Sequence, residues 1–228
     1  MEGVKFDDFH SYTDFSLILN SVTISPPEPK TYSVEIAGAD GSIDLTDALT
    51  GDVKYKNRSL SFQFTYEGNH EKQLSQYTKL AKKIHGRNMK IILDSDANFY
   101  YEGRVKISKC DHHPGICIFD ISCDVAPYKY DFGDDWLWDS FDFEEGFINE
   151  LENLTVDGTL EVLAIGHRKR YIPWIECSSD MSVEYKGITY SLKAGKNKIF
   201  DIVISEGDNL FTFMGNGIVS IENKGGEL

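Results

Sequence analysis

Apolar and polar residues alternate along most of this chain with the two-residue period of a β-strand. This period restricts the possible folds more than any other feature. The segment LSFQFTY places Leu60, Phe62 and Phe64 on one face and polar residues on the other. Such a segment forms a half-buried strand. The segments KIILDS, FYYEGRVKIS and ICIFDISCDV follow the same rule. The sequence therefore predicts a mainly β protein.

One segment, NHEKQLSQYTKLAKKIHGRN, has the period of a helix instead. Its apolar residues form a stripe at spacings of three and four: Leu74, Tyr77, Ala81 and Ile84. Asn69 is predicted to be the N-cap, and Gly86 is predicted to end the helix. Because an apolar stripe needs cover, we expect this stripe to pack on a sheet.

A change in composition divides the chain into two predicted domains, 1–128 and 129–228. The first combines many strands with one amphipathic helix and is of the α+β class. An acidic, aromatic segment begins at Pro127. After it, short strands alternate with turn residues that include Gly187, Gly195, Gly207 and Gly215. This even spacing predicts a second, all-β domain with a sandwich or jelly-roll fold.

The charge of the chain excludes several classes of partner. Its 228 residues carry a formal net charge of −14, which repels nucleic acid and anionic membranes. No apolar run approaches the ~20 residues that span a bilayer, and the first residues do not resemble an export signal. Four cysteines indicate a chain made in a reducing cytosol rather than a disulfide scaffold.

The segment CDHHPGIC brings thiol and imidazole groups close together in the sequence. Cys110, His112, His113 and Cys117 are residue types that bind zinc. Their spacing does not match a paired C-x-x-C ligand set, however. A hairpin explains the segment better, with Cys117 on the buried face of the second strand and both histidines in an exposed turn. The sequence therefore predicts no metal site and no cofactor.

Acidic and aromatic residues are concentrated between Asp134 and Glu145. We interpret Trp136 and Trp138 as apolar anchors at the junction of the two domains. Two alternatives stay open. Trp136, Trp138 and Trp174 could be stacking platforms of a carbohydrate-binding module, and the acids could act in a glycosidase. No catalytic constellation is recognisable in the sequence, so we predict that the protein is not an enzyme.

The longest excursion between two strands lies in VEIAGADGSIDLTDALTGDVKYKNRSLSFQF. Connections longer than about 12–15 residues are usually functional or disordered. Apolar residues recur through this one, which predicts a two-stranded arm at about 36–57. A two-stranded ribbon is marginal by itself and needs another surface. An arm laid on the next copy of the chain makes a head-to-tail contact, and such contacts close into rings.

The same region resembles the N-terminal signature of siphophage distal tail (Dit) proteins. The matching residues are Pro26, Pro27, Pro29, Gly38, Asp40, Gly41, Ile43, Asp44, Leu45, Thr46, Tyr55, Arg58 and the strand 60–64. The amphipathic helix and the C-terminal segment GDNLFTFMGNGIVSIENKGGEL also fit that family. The resemblance implies a β-sandwich or split-barrel domain with a helix and a long arm, followed by a galectin-like domain.

The resemblance also implies a structural role in a phage or prophage virion. The first domain would form a hexameric ring, the hub of the tail tip, assembled in the bacterial cytoplasm. The expected partners are the tail tube, the tape-measure protein, the tail-associated lysin or fibre, and receptor-binding proteins. The expected subunit interface lies on the arm and includes Gly38, Asp40, Gly41, Ile43, Leu45, Leu49 and Tyr55.

Overall fold

The protein is described here by a computed structural model, which covers residues 2–48, 50–131, 151–222 and 225–228. The predicted mainly β fold is confirmed. The chain divides into two compact units, Met1–Lys129 and Tyr130–Glu227. In the described part of the chain, no helix is both long enough and apolar enough to cross a membrane.

The first unit contains strands of two to fifteen residues and an α-helix. Its strands are β1 (Val4–Phe6), β2 (Phe9–His10), β3 (Ile18–Ile24), β4 (Ser33–Glu35), β5 (Ser42–Asp44), β6 (Arg58–Glu67), β7 (Asn88–Leu93), β8 (Phe99–His113) and β9 (Ile116–Val125). The helix, α1, spans His70–Ile84, and a short 3-10 helix spans Asp94–Asp96.

An antiparallel sheet with the order β2-β1-β7-β8-β9-β6-β3 forms the body of this unit. Strand β6 has the predicted two faces, because Leu60, Phe62 and Phe64 are buried while their neighbours in the strand are largely exposed. The buried face belongs to a core that also contains Phe119 and the helix residue Leu80. Strands β4 and β5 lie outside this sheet and pair only with each other.

Helix α1 begins and ends where the sequence predicted. The side chain of Asn69 accepts a hydrogen bond from the Lys72 amide at 3.1 Å, and Gly86 follows the last turn with a φ of +76°. Its packing face differs from the predicted stripe, however. Leu80 and Ile84 are fully buried, but Leu74 and Tyr77 are 47% and 41% exposed.

Two glutamines take the places that the predicted stripe gave to Leu74 and Tyr77. Gln73 is 1% exposed and Gln76 is 8% exposed. Gln76 donates a hydrogen bond to the carbonyl oxygen of Phe15. Gln73 donates to backbone carbonyl oxygens at the end of the β8–β9 hairpin. Buried polar side chains are stable where they are hydrogen-bonded. The helix therefore buries a face that includes these two glutamines instead of the purely apolar face that the sequence predicted.

The hairpin of β8 and β9 is longer than the sequence indicated. Its turn consists of Pro114 and Gly115, and His112 and His113 are strand residues rather than turn residues. The pairing shifts by one residue between Ile107 and Lys109, which is a β-bulge. A bulge reverses the side-chain alternation beyond it. Cys110 and His112 therefore share the face of the buried Cys117.

The second unit consists of strands only, within its described residues. They are β10 (Tyr130–Asp131), β11 (Leu154–Gly166), β12 (Ile175–Cys177), β13 (Met181–Tyr185), β14 (Ile188–Leu192), β15 (Gly195–Asn197) and β16 (Gly207–Ile221). The sheet has the order β14-β13-β16-β12-β15, and β11 also pairs with β16. Stacked aromatic rings of Tyr185, Phe211 and Phe213 form part of its core.

One strand of this unit replaces two predicted ones. The segment NLFTFMGNG and the first three residues of VSIEN belong to the continuous strand β16, and Gly215 does not end it. Gly215 and Gly217 have φ values of +144° and +147°, which residues with a β-carbon rarely adopt. Because glycine adopts these angles without strain, β16 stays paired with β11 on both sides of the two glycines. Gly187, Gly195 and Gly207 do lie at turns or strand ends, as predicted.

Candidate functional site

The predicted arm is a ribbon that begins earlier than about residue 36. We use the name ribbon for residues 28–56. At its base, the amide of Lys56 donates to the carbonyl of Glu28, and the amide of Lys30 donates to the carbonyl of Lys54. Farther out, β4 and β5 pair from Ser33↔Asp44 to Glu35↔Ser42. These hydrogen bonds lie within the ribbon and order its backbone.

The ribbon has little cover from its own chain. None of its described residues is buried, although it contains several large apolar side chains. Tyr32, Ile36 and Ile43 are 60%, 48% and 50% exposed, respectively. A two-stranded sheet without a packed face is marginal in water. The ribbon therefore presents apolar surface that the rest of the described chain leaves open to solvent.

The two faces of the ribbon differ in chemistry. Val34 and Ile43 are direct partners across the strands, and side chains alternate between faces along each strand. Val34 and Ile43 therefore share an apolar face. Tyr32, Ile36 and Leu45, which adjoin the paired residues, continue the same sequence alternation. The opposite face carries only polar side chains: Ser33, Glu35, Ser42 and Asp44. This alternation is the pattern of a strand pair that packs on one side.

A hydrogen-bonded corner connects β5 with the rest of the ribbon. The Asp44 carboxylate accepts hydrogen bonds from the Thr46 hydroxyl and, at 2.9 Å, from the Thr46 amide. The two bonds lower the pKa of Asp44 from its ordinary value of 3.8. The Thr46 hydroxyl oxygen in turn accepts a hydrogen bond from the amide of Tyr32 at 3.1 Å. The corner therefore connects the residue before β4 with the residues that follow β5.

The base of the ribbon is joined to the first unit by a buried arginine. Arg58 is 8% exposed and directly follows the ribbon and Asn57. Its guanidinium donates to the carbonyl oxygens of Ser25 at 3.1 Å and Pro127 at 3.2 Å. It also lies 5.3 Å from the ring centre of Tyr101. This side chain fixes the points at which the chain enters and leaves the ribbon.

The residues predicted for the subunit interface fall into three places. Gly38, Asp40 and Gly41 form the tip, where both glycines have a positive φ. Ile43 and Leu45 lie on the apolar face, while Leu49 lies outside the described residues. Tyr55 lies at the base, with its ring 6.1 Å from that of Tyr128 in the same unit.

The sequence analysis missed the part of the apolar face that comes from the first ribbon strand. Tyr32, Val34 and Ile36 alternate with polar residues in the segment TYSVEI, so their period of two was a usable signal. The pairing register adds what the period could not. It places Val34, the middle residue of the three, directly opposite Ile43.

The aromatic and acidic candidates of the second predicted domain are only partly described. Trp136, Trp138 and the segment Asp134–Glu145 lie outside the described residues. Trp174 is 39% exposed, and the ammonium of Lys198 lies 5.1 Å from the centre of its ring. A cation above one face is a common arrangement for a surface tryptophan. The carbohydrate-binding and glycosidase hypotheses therefore stay predictions without structural support.

The thiol and imidazole groups of the β8–β9 hairpin come together in space. Ligand atoms of Cys110, His112 and Cys117 all lie within 4.8 Å of one another. The two sulfur atoms are 3.1 Å apart, and the four cysteines of the chain are free thiols. Burial, together with the hydrogen bond that Cys110 donates to Cys117, raises the pKa of Cys110 to about 12. Because the thiolate is the reactive form, this pair is a poor nucleophile at neutral pH.

Comparisons with known proteins identify the fold. No protein-family model and no curated protein sequence matches the chain. Among solved structures, the chain is similar to the crystal structure of the Dit (gp 19.1) protein of SPP1, described as a paradigm of the hub adsorption apparatus in phages that infect Gram-positive bacteria. The TM-score is 0.63 at 12% sequence identity, and the similarity covers 98% of this chain and 99% of that chain.

This similarity confirms, at the level of the fold, the resemblance that the sequence analysis identified. The chain has the fold of a siphophage distal tail protein over almost its full length.

Proposed function

We propose that this protein is a structural component of a siphophage tail tip, in which copies of the chain form a ring through the ribbon. The observation that carries the proposal is the apolar set Tyr32, Val34, Ile36, Ile43 and Leu45 on a ribbon none of whose described residues is buried. The similarity to a phage hub protein over 98% of the chain supports the same role.

The occupant of the apolar face is a second copy of this chain. A copy that lays its ribbon on one neighbour and receives the ribbon of another makes head-to-tail contacts. Repeated head-to-tail contacts close into a ring when the rotation between copies divides a full turn. The resemblance to distal tail proteins indicates six copies. Burial of the apolar side chains in this contact supplies the stabilisation that a free ribbon lacks.

The ring would be the hub of the tail tip of a phage or prophage. It would join the tail tube and the tape-measure protein to the tail-associated lysin or fibre and to receptor-binding proteins. Its expected location is the virion, after assembly in the bacterial cytoplasm. The second unit, with the expected galectin-like fold, would face these partners without a catalytic role. A net charge of −14 favours a lumen that does not retain DNA.

The decisive experiment removes the ribbon and leaves its base intact. The amide of Lys30 donates to the carbonyl of Lys54 at 2.7 Å, so a tight turn can join these two positions. We replace residues 31–53 with an Asn-Gly turn, which suits adjacent antiparallel strands. The variant is expected to keep the wild-type circular dichroism spectrum and to remain monomeric at concentrations where the wild-type chain forms rings, measured by light scattering and negative-stain microscopy.

A matched pair of double variants separates the apolar face from the length of the ribbon. Val34→Ser with Ile43→Ser changes one cross-strand pair on the apolar face and should abolish ring formation. Glu35→Gln with Ser42→Thr changes the next pair, on the polar face, and should leave ring formation unchanged. The proposal would be contradicted if the ribbon-deleted protein formed rings of wild-type size. It would also be contradicted if both double variants lost ring formation equally.

A further inference from the structure

The Cys110, His112 and Cys117 side chains form a cluster that the proposed tail-tip role does not use. The sequence analysis assigned no metal to this segment because the ligand spacing in the chain is irregular. Its spatial arrangement is different, because the bulge between Ile107 and Lys109 turns Cys110 and His112 toward Cys117. We propose that these three side chains bind a zinc ion, with water in the fourth position.

Two of the three distances between candidate ligand atoms are close to those of a tetrahedral zinc site, and the third is within 4.8 Å. Zn–S bonds of about 2.3 Å and Zn–N bonds of about 2.0–2.1 Å imply S···N separations of about 3.6 Å and S···S separations of about 3.8 Å. The Cys110 sulfur lies 3.5 Å from His112 Nε2 and 3.1 Å from the Cys117 sulfur. The sulfur atoms therefore need to separate by about 0.7 Å, which side-chain rotation provides.

The orientation of the His112 ring is set by a buried glutamine on helix α1. The Gln73 amide nitrogen lies 2.9–3.0 Å from the carbonyl oxygens of Gly68, His113 and Ile116. Only the NH₂ group can donate to carbonyls, so Gln73 Oε1 is the atom 2.9 Å from His112 Nδ1. This oxygen only accepts, and His112 Nδ1 must therefore carry the proton.

The resulting tautomer is the one that a metal ligand requires. With the proton on Nδ1, the lone pair of Nε2 is on the side of the ring near Cys110. A ligating histidine typically donates its other ring N–H to a carbonyl or carboxylate group, which orients the ring and raises the basicity of the ligating nitrogen. Gln73 is 1% exposed and supplies such an acceptor. It is therefore a positioning residue and not a ligand.

The chemistry and access of the cluster favour a thiophilic ion. Thiolate and imidazole ligands select zinc over magnesium or calcium, which prefer oxygen. Cys117 is fully buried, Cys110 is half-buried and His112 is exposed, so one side of the cluster is open. A groove of about 360 Å³ beside α1 reaches Cys110 and His112 and offers an entry path. On binding, both thiols release their protons to water and the imidazole stays neutral.

Cobalt binding followed by zinc displacement tests the site on the full-length chain. The protein is produced without an affinity tag, reduced and freed of metal with a chelator. Titration with Co²⁺ should give one bound ion per chain and a sulfur-to-cobalt charge-transfer band, and Zn²⁺ should remove the band. Zinc should also raise the melting temperature, because an ion that binds the folded state stabilises it.

Matched variants identify the ligands. Cys110→Ser and His112→Ala should each abolish stoichiometric binding, while His113→Ala, one residue away on the opposite strand face, should retain it. Cys177→Ala removes a buried thiol of the second unit and should also leave the band unchanged. Gln73→Ala should keep the sulfur-to-cobalt band but weaken binding about 10–100-fold, the usual effect of losing the residue that orients a ligand. Circular dichroism checks the fold of each variant.

Two results would overturn the proposal. One is a folded wild-type protein that takes up no stoichiometric cobalt or zinc, or a Cys110→Ser variant that binds as the wild type does. The other is a disulfide between Cys110 and Cys117 in the purified protein, detected by mass spectrometry, with no metal uptake after reduction. That outcome would assign the pair to thiol oxidation instead.

Discussion

The ribbon and the β8–β9 hairpin are both antiparallel hairpins of the first unit, but they reach order by different means. Val105, Phe119 and Ile121 of the β8–β9 hairpin are almost completely buried. The ribbon is ordered by backbone hydrogen bonds and the Asp44–Thr46 corner, and its apolar face is exposed. Backbone pairing alone thus gives the ribbon a shape without giving it a buried side.

This difference indicates where each hairpin obtains its stability. Burial of apolar surface is the main stabilising contribution in folding, and the β8–β9 hairpin obtains it from the core of its own unit. No described residue of the ribbon is buried, and under our proposal the ribbon obtains this contribution from a second copy of the chain. Substitutions in the β8–β9 hairpin should therefore change folding, and substitutions on the ribbon face should change assembly.

The largest expected effect comes from Ile121→Ala in the β8–β9 hairpin. Ile121 is 1% exposed, and its truncation leaves a cavity in the core of the first unit. The free energy of unfolding should fall by about 2–5 kcal/mol. Urea unfolding, monitored by far-ultraviolet circular dichroism, measures this change. A loss below about 1 kcal/mol would mean that the core relaxes around the cavity and that the two hairpins differ less than their burial indicates.

Arg58→Met should have an intermediate effect, because Arg58 is buried at the base of the ribbon and is paired with Val125 of β9. The substitution keeps an apolar stem but leaves the carbonyl oxygens of Ser25 and Pro127 without their donor. We expect a loss of about 1–3 kcal/mol in the free energy of unfolding, the usual result of leaving buried polar groups unsatisfied. Denaturant unfolding checks the value. Wild-type stability would show that water replaces the guanidinium at the ribbon base.

The same truncation on the ribbon, Ile43→Ala, should hardly change the stability of the monomer. Ile43 is 50% exposed, and exposed substitutions usually lie within about 0.5 kcal/mol. Ring formation should nevertheless weaken, which sedimentation at increasing protein concentration measures. Ile121→Ala and Ile43→Ala are thus one chemical change with opposite consequences. A destabilised monomer with intact assembly would reverse the comparison.

The smallest effect concerns the protonation of Asp44 in the ribbon corner. The folded-state pKa of Asp44 is lowered, so the hydrogen bonds from Thr46 are present at neutral pH and are lost as pH falls through that lowered pKa. The chemical shift of the Thr46 amide proton, measured by NMR, should titrate with a midpoint below 3.8. Asp44→Asn should remove this titration. A midpoint at or above 3.8 would mean that the corner is open in solution.

The parts of the fold that the sequence predicted correctly depend on residues close together in the chain. The alternation in Leu60–Tyr66 predicted the two faces of β6, and Asn69 and Gly86 predicted the ends of α1. The apolar residues that recur in the long excursion predicted a two-stranded arm. Each of these features is set by local backbone preferences and side-chain period, which the neighbouring residues largely determine.

Other features of the candidate sites depended on contacts between distant segments. The buried face of α1 follows from Gln73 and Gln76, whose partners lie in the β8–β9 hairpin and at Phe15. The apolar face of the ribbon required the register that places Val34 opposite Ile43. Neither arrangement can be read from one segment, because each depends on what lies across from it.

The sequence alone thus determined the mainly β class, the ends of the helix and the existence of a long two-stranded excursion, since local period and turn chemistry specify them. Only the tertiary structure decided that Cys110 and His112 face Cys117, because a single extra residue at the bulge reverses the alternation of every side chain beyond it. A shift of one residue leaves the composition unchanged, yet it determines which groups meet.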